Sequence, residues 1–234
     1  VNLGEFEGCD EDPYEDNDEV SAPHPIDVGN YPAMAACAED PDYLSFEMEN
    51  GNQVTAIALT DSPDYMLMRL FNPTDEQVKT SSATTGGRKL TYRATSGGIY
   101  KLGVEAQWGS SFAYDLDINI CPEDAFEEND NYIKAIFVPQ STTYPDMVIC
   151  RDDEDWFSFQ QWQGTQVTII MQYQYLNGDL DMYLRDVSGN ILKQSTTQTN
   201  TESIQFTATT SSTYYIQVVG YGDAQNSYSI SFSL

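Results

Sequence analysis

Positive charge is what this chain has least of. Ten Lys and Arg stand against 37 Asp and Glu, which leaves a formal net charge of -27. That balance excludes DNA and RNA as partners, because binding phosphates needs a basic face. It also argues against attraction to an anionic membrane surface. Histidine is reduced to His24, held between prolines in "APHP", and no G-x-S-x-G is present. A hydrolytic nucleophile would therefore lack its base. Four cysteines, Cys9, Cys37, Cys121 and Cys150, form no CxxC pair, which argues against zinc or iron–sulfur ligation. No apolar run approaches the roughly 18 residues of a membrane span. No window carries a 3.6-residue apolar period, so helices are not expected.

What is abundant is acid together with Ser, Thr, Tyr, Asn and Gln, the composition of an exported β protein. Acidic protein stays dispersed and collects cations in a calcium-rich extracellular setting. A first residue of Val rather than Met reads either as the end left after export or as the start of an excised fragment. A chain of 234 residues accommodates one large β domain or two of ordinary size.

The chain repeats itself. Cys9 matches Cys121 at a shift of 112, and "YEDND" (14–18) matches "FEEND" (126–130) at the same shift. Cys37 matches Cys150 at 113, as "DPDYLSF" (40–46) matches "DEDWFSF" (153–159). "GNQVT" answers "GTQVT", "LTYRAT" answers "IQFTAT", and "YDLDINI" answers "YSISFSL". The shift drifts by only two residues over a whole unit, so both copies should share one fold. The organisation expected is an extension at 1–8, one unit at 9–120 and a second at 121–234, with almost no linker.

Each unit alternates with period two. "YSISFSL" puts Tyr228, Ile230, Phe232 and Leu234 on one face and serines on the other, and "YDLDINI" does the same with Tyr114, Leu116, Ile118 and Ile120. "DYLSFEM" buries Leu44, Phe46 and Met48, and "LDMYLRD" buries Leu180, Met182 and Leu184. These are half-buried antiparallel strands. "VSGNIL" reads as a hairpin turn at Gly189–Asn190. Seven or eight short strands per unit predict an all-β chain of two tandem jelly-roll-like antiparallel β-sandwiches.

The ordered series "EDND" or "EEND", "DxD-aromatic-x-x-F", "GxxVT", "DLDMYLRDVSGNIL", "TSSTYYIQV" and "YSISFSL" resembles the bacterial pre-peptidase C-terminal domain. The resemblance spans both copies and is closer in the second. It implies a jelly-roll-like sandwich appended to secreted proteases and other exported proteins. In secreted collagenases similar modules bind collagen, and they bind calcium near the N-terminal edge. Carried over by position, the family's acidic calcium segment falls on Glu127, Asn129 and Asp130, and in copy one on Glu15, Asn17 and Asp18. Its second acidic segment falls on Asp152, Asp153 and Asp155, and in copy one on Glu39, Asp40 and Asp42. Copy one departs further along, where "DLD" (179–181) becomes "YML" (65–67), and the family's usual proline after the acidic residue stands as Asp16 and Glu128.

Calcium takes six to eight hard oxygen ligands, which carboxylates, an amide and backbone carbonyls can supply. Crowded carboxylates without a cation raise one another's pKa. The alternative is a solvated acidic turn with capping roles. The cysteines sit at equivalent repeat positions, so Cys9–Cys37 and Cys121–Cys150 are the simplest pairing, with free core thiols as the alternative. Each bridge would close a loop of about 30 residues, worth ~3–4 kcal/mol. No catalytic site emerges, since the acids cluster at repeated edges rather than across a groove.

The expected function is a non-catalytic, calcium-binding extracellular structural or adhesive protein, self-associating through residues 1–8 in a filament. The alternative is an ancillary module of a larger secreted protease that binds an extracellular protein or polysaccharide.

Overall fold

The structure is a computed structural model that describes residues 12–122 and 124–234. Cys9 and the extension at 1–8 lie outside the described residues. The chain divides into two compact units, Val1–Cys121 and Pro122–Leu234.

In the first unit the described strands are β1 (His24–Pro25), β2 (Gly29–Ala36), β3 (Asp42–Met48), β4 (Asn52–Leu59), β5 (Met66–Phe71), β6 (Gln77–Thr80), β7 (Ser82–Thr84), β8 (Gly87–Arg93), β9 (Gly98–Ala106) and β10 (Phe112–Pro122). They form two sheets, in the orders β1-β3-β9-β5-β6 and β2-β10-β4-β8-β7. The second unit repeats the plan with β11 (Ile136–Phe137), β12 (Thr142–Ile149), β13 (Glu154–Gln161), β14 (Gln166–Tyr173), β15 (Leu180–Arg185), β16 (Ile191–Ser195), β17 (Thr201–Thr207), β18 (Ser212–Gly220) and β19 (Asn226–Ser233). Its sheets run β11-β13-β18-β15-β16 and β12-β19-β14-β17. Apart from two 3-10 turns, Pro63–Tyr65 and Tyr175–Asn177, no helix occurs among the described residues.

Period-two alternation places the core. Leu44, Leu102, Val54 and Leu116 meet between the sheets of the first unit, all fully buried. Phe157, Ile216, Ile169 and Ile230 do so in the second. The strand faces expected from sequence are the faces that are buried. Two details depart from the expectation. The two-residue strands β1 and β11 pair in parallel with β3 and β13, while the other pairs whose register is described are antiparallel. The described strands number ten and nine rather than seven or eight, because short edge pieces such as β7 carry no alternation to read.

A bulge repeats in both units where β2 meets β10 and β12 meets β19. Equivalent residues there, Ala33 and Asp146, take φ of 57° and 56°. The extra residue bends each strand just before Ala35 and Val148. Those two backbone amides are the ones that reach the acidic loop.

Replacing Ile230, fully buried at the centre of β19, with Ala is expected to cost ~2–5 kcal/mol through the cavity left behind. In urea the unfolding midpoint should fall with its slope unchanged, whereas Ser229→Ala on the opposite face should stay within about 0.5 kcal/mol.

Candidate metal centre

Each acidic loop is anchored by its own first carboxylate. Asp12 Oδ1 accepts from Tyr14 N at 2.9 Å, and its Oδ2 accepts from Ala35 N on β2 at 3.1 Å. Asp124 does the same with Phe126 N and Val148 N on β12, both at 2.8 Å. Next, Glu15 Oε2 accepts from Asn17 N at 3.2 Å, and Glu127 Oε2 from Asn129 N at 3.1 Å. The loop then joins the other sheet: Asn17 O accepts from Tyr43 N, and Asn129 O from Trp156 N. A cis peptide follows each glutamate, at Glu15–Asp16 and Glu127–Glu128.

That last anchor aligns the loop with a buried aspartate, Asp42 on β3 or Asp155 on β13. Each is sealed from across the sandwich. Tyr114 OH on β10 donates to Asp42 Oδ2, and Tyr228 OH on β19 donates to Asp155 Oδ2. Asp155 Oδ1 is buried with no hydrogen-bond partner.

Three carboxylates converge in each unit. Asp12, Glu15 and Asp42 offer oxygens within 4.8 Å of one another, as do Asp124, Glu127 and Asp155. In the second unit Glu127, Asp130 and Asp153 form a further group that shares Glu127. Beside the carboxylates, the side chains of Asn17 and Asn129 are fully buried; no well-formed hydrogen bond reaches the oxygen or nitrogen of either, and the one contact in reach, Asn129 with Asp155, falls short of hydrogen-bond geometry. Asn129 faces Asp155 closely enough to favour its charged form. A buried amide without partners costs on the order of 1–3 kcal/mol, so its repetition in both units calls for something to bind it.

The electrostatics point the same way. Burial, followed by the charges of Asp12, Glu15 and Asp40, pushes the Asp42 carboxyl up to about 8, against the lowering effect of Tyr114 OH. Burial raises Asp155 to about 7, with Asp153 and Asp124 adding to the rise. Burial also takes Glu15 to about 7 and Asp153 to about 6. Tyr114 and Tyr228 are driven well above their ordinary value, by burial first and their aspartates second, so both remain donors.

Of the residues expected from sequence, Glu15 and Asp42 converge in the first unit, and Glu127, Asp130, Asp153 and Asp155 in the second, while Asn17 and Asn129 are buried in the loops that carry the glutamates. Asp18 and Asp40 lie near enough to raise the Glu15 pKa but stand outside the converging groups found among the described residues. Asp152 is exposed at a left-handed position, φ 61°, outside the groups, and Glu39 is its counterpart at φ 66°. Sequence reasoning missed Asp12 and Asp124, although both stand three residues after a cysteine in the repeat. It also read Tyr114 and Tyr228 only as core residues. Cys37, Cys121 and Cys150 are all disulfide-bonded. Asp153 lies against Cys150, whose amide it accepts at 3.4 Å.

Residues 153–220 match the family model of the bacterial pre-peptidase C-terminal domain. The match opens on Asp153 and includes Asp155, so two residues of the second acidic segment lie within the matched stretch and Asp152 lies just before it. Among solved structures, the pre-peptidase C-terminal domain of a collagenase from Bacillus anthracis aligns at 20% identity and a TM-score of 0.38, covering 49% of this chain and 100% of that one. A periplasmic inhibitor of g-type lysozyme, PliG from Aeromonas hydrophila, aligns at 12% identity and a TM-score of 0.35, covering 42% and 94%. No curated protein matches the chain.

In chelator, both units should be most stable in acid. The carboxyls of Asp42 and Asp155 have folded pKa values raised above the unfolded value of about 4. Their contribution is full below that value and is lost as pH rises through about 7–8. Thermal melts from pH 5 to 8 in EDTA should therefore show a falling Tm, and the double variant Asp42→Asn, Asp155→Asn should flatten the slope.

Proposed function

We propose that the chain is a calcium-stabilised, non-catalytic tandem module of an exported protein, an ancillary unit that positions or anchors rather than reacts. The observation that carries this reading is the fully buried, unpartnered asparagine beside converging carboxylates, present in both units. Calcium answers both problems of that site. Its charge offsets the repulsion among Asp124, Glu127 and Asp155, and its preference for neutral oxygens gives the Asn129 amide oxygen a role. Asp130 and Asp153 extend the donor set on the solvent side. Among the described residues the first unit offers Asp12, Glu15, Asn17 and Asp42, a smaller set that suits weaker binding.

An ancillary role agrees with the pre-peptidase match at 153–220 and with the family's place on secreted bacterial proteins. No helix among the described residues is long and apolar enough to cross a membrane. Self-association is expected to run through residues 1–8, which lie outside the described residues, so the ancillary module is put forward ahead of a structural or adhesive role. The pairings Cys9–Cys37 and Cys121–Cys150 belong to the same proposal, each tying a cysteine that opens an acidic loop to the turn that carries the second acidic segment.

With a dissociation constant of ~0.1–1 mM, millimolar calcium adds ~0.4–1.4 kcal/mol per site. That corresponds to a Tm rise of roughly 2–8 °C. Differential scanning fluorimetry should show EDTA lowering Tm, calcium restoring it and magnesium failing to. The pair Glu127→Gln, Asp155→Asn should remove the second unit's share. A melt indifferent to calcium would overturn the proposal.

A further inference from the structure

The two units share one frame, so a feature found in only one of them is not required by the fold. The turn between β13 and β14 is such a case. In both units it rests on the same backbone bonds. Gly164 N donates to Ala208 O and Ala208 N to Thr165 O, as Gly51 N does to Ala94 O and Ala94 N to Asn52 O. Both glycines take the left-handed conformation, φ 84° and 90°. At the position where the first unit carries Glu49, the second carries Trp162.

Trp162 is 74% exposed, an unusual placement for the largest apolar side chain. It is also held in place. Trp162 O accepts from Thr165 N at 3.0 Å and from Thr165 Oγ1 at 2.7 Å. Gln161 Oε1 lies 3.0 Å from Thr165 Oγ1 and competes with Trp162 O for its single proton, and Gln163 N donates to Ser211 Oγ at 3.0 Å. The indole therefore stands on a fixed turn beside a recess of about 250 Å³, lined by Trp162 with Gln160, Gln161, Ser211, Ser212 and Thr213.

The chemistry of that lining is selective. In a chain of net charge -27, no group in this recess ionises near neutral pH. A phosphate, carboxylate or ammonium ligand would find no counter-charge there. An aliphatic ligand would leave amides and hydroxyls without partners. A flat aromatic face ringed by neutral donors and acceptors suits a ligand that presents C–H bonds on one side and hydroxyls around its edge. We propose that the Trp162 recess is a binding site for an uncharged saccharide. One pyranose ring stacks on the indole, and Gln160, Ser212 and Thr213 engage its hydroxyls. Trp162 follows the last residue of β13, whereas Asp155 lies near the start of that strand, so roughly 20 Å of strand separates the site from the acidic cluster. The inference does not depend on calcium.

Affinity electrophoresis of the full chain tests it, with laminarin, hydroxyethyl cellulose, xylan and glycol chitin each cast in the gel. At least one polymer should retard the protein, and about 0.5 M salt should leave the retardation intact because no charge pairing is involved. Trp162→Ala should weaken binding about tenfold or more, the scale of one lost aromatic stack. Trp162→Phe should retain part of it, and Trp108→Ala, at the other exposed tryptophan, should match the parent. An unchanged Tm for Trp162→Ala establishes that the loss is not unfolding. Retardation by none of the polymers, equal retardation of Trp162→Ala, or abolition by salt would each overturn the proposal. So would capture on collagen-coated beads that Trp162→Ala abolishes, since that assigns the recess to protein. The EDTA melts test calcium binding separately.

Discussion

A carboxylate held inside a β-sandwich must find compensation for its lost water, and the acidic end of each unit is arranged around that requirement. Asp42 and Asp155 are almost wholly buried. Two sources compensate each: a tyrosine hydroxyl from the facing sheet and a loop carrying further carboxylates and an asparagine. The tyrosine satisfies one oxygen and ties the sheets together. The remaining carboxylates bring repulsion as well as ligands; protonation relieves that repulsion, and the proposed cation would turn it into attraction.

The rest of the unit follows from this demand. The bulge before Ala35 and Val148 turns two backbone amides toward Asp12 and Asp124, which fixes where the loop starts. Asn17 O and Asn129 O accept from the strand that carries the buried aspartate, which fixes where it ends. Between these anchors the asparagine side chain has nowhere to point except inward. Preorganisation of this kind would let a shallow set of ligands hold the proposed ion at millimolar concentrations, because little ordering would be left for the ion to impose. The opposite end of β13 is free of that constraint. There the repeated turn is kept while its exposed side chain differs, Glu49 in one unit and Trp162 in the other.

Much of this was legible in the sequence. Alternation in "YSISFSL" and "YDLDINI" assigned the buried faces correctly, since burial on one face of a strand leaves a period of two. Repetition of "EEND" and "DED" at matching shifts singled out Glu127, Asn129 and Asp155. Asp12 and Asp124 escaped because a run of acids offers several equal candidates. Aligning the two runs column by column retains only the acids present in both, and these two are among them. The tyrosine–aspartate bonds were not legible, because they join residues 72 and 73 positions apart and only the meeting of two sheets brings them together. The parallel pairing of β1 and β11 was equally hidden, since two residues cannot display a period.

The central claim is that the converging carboxylates and the buried asparagine hold calcium. Anomalous diffraction at long wavelength from crystals grown in calcium addresses it directly. The account predicts an anomalous peak bounded by Asp124, Glu127, Asn129 and Asp155, and a weaker one bounded by Asp12, Glu15, Asn17 and Asp42. No peak at either place, with the Asn129 amide bonded to ordered water, would contradict it.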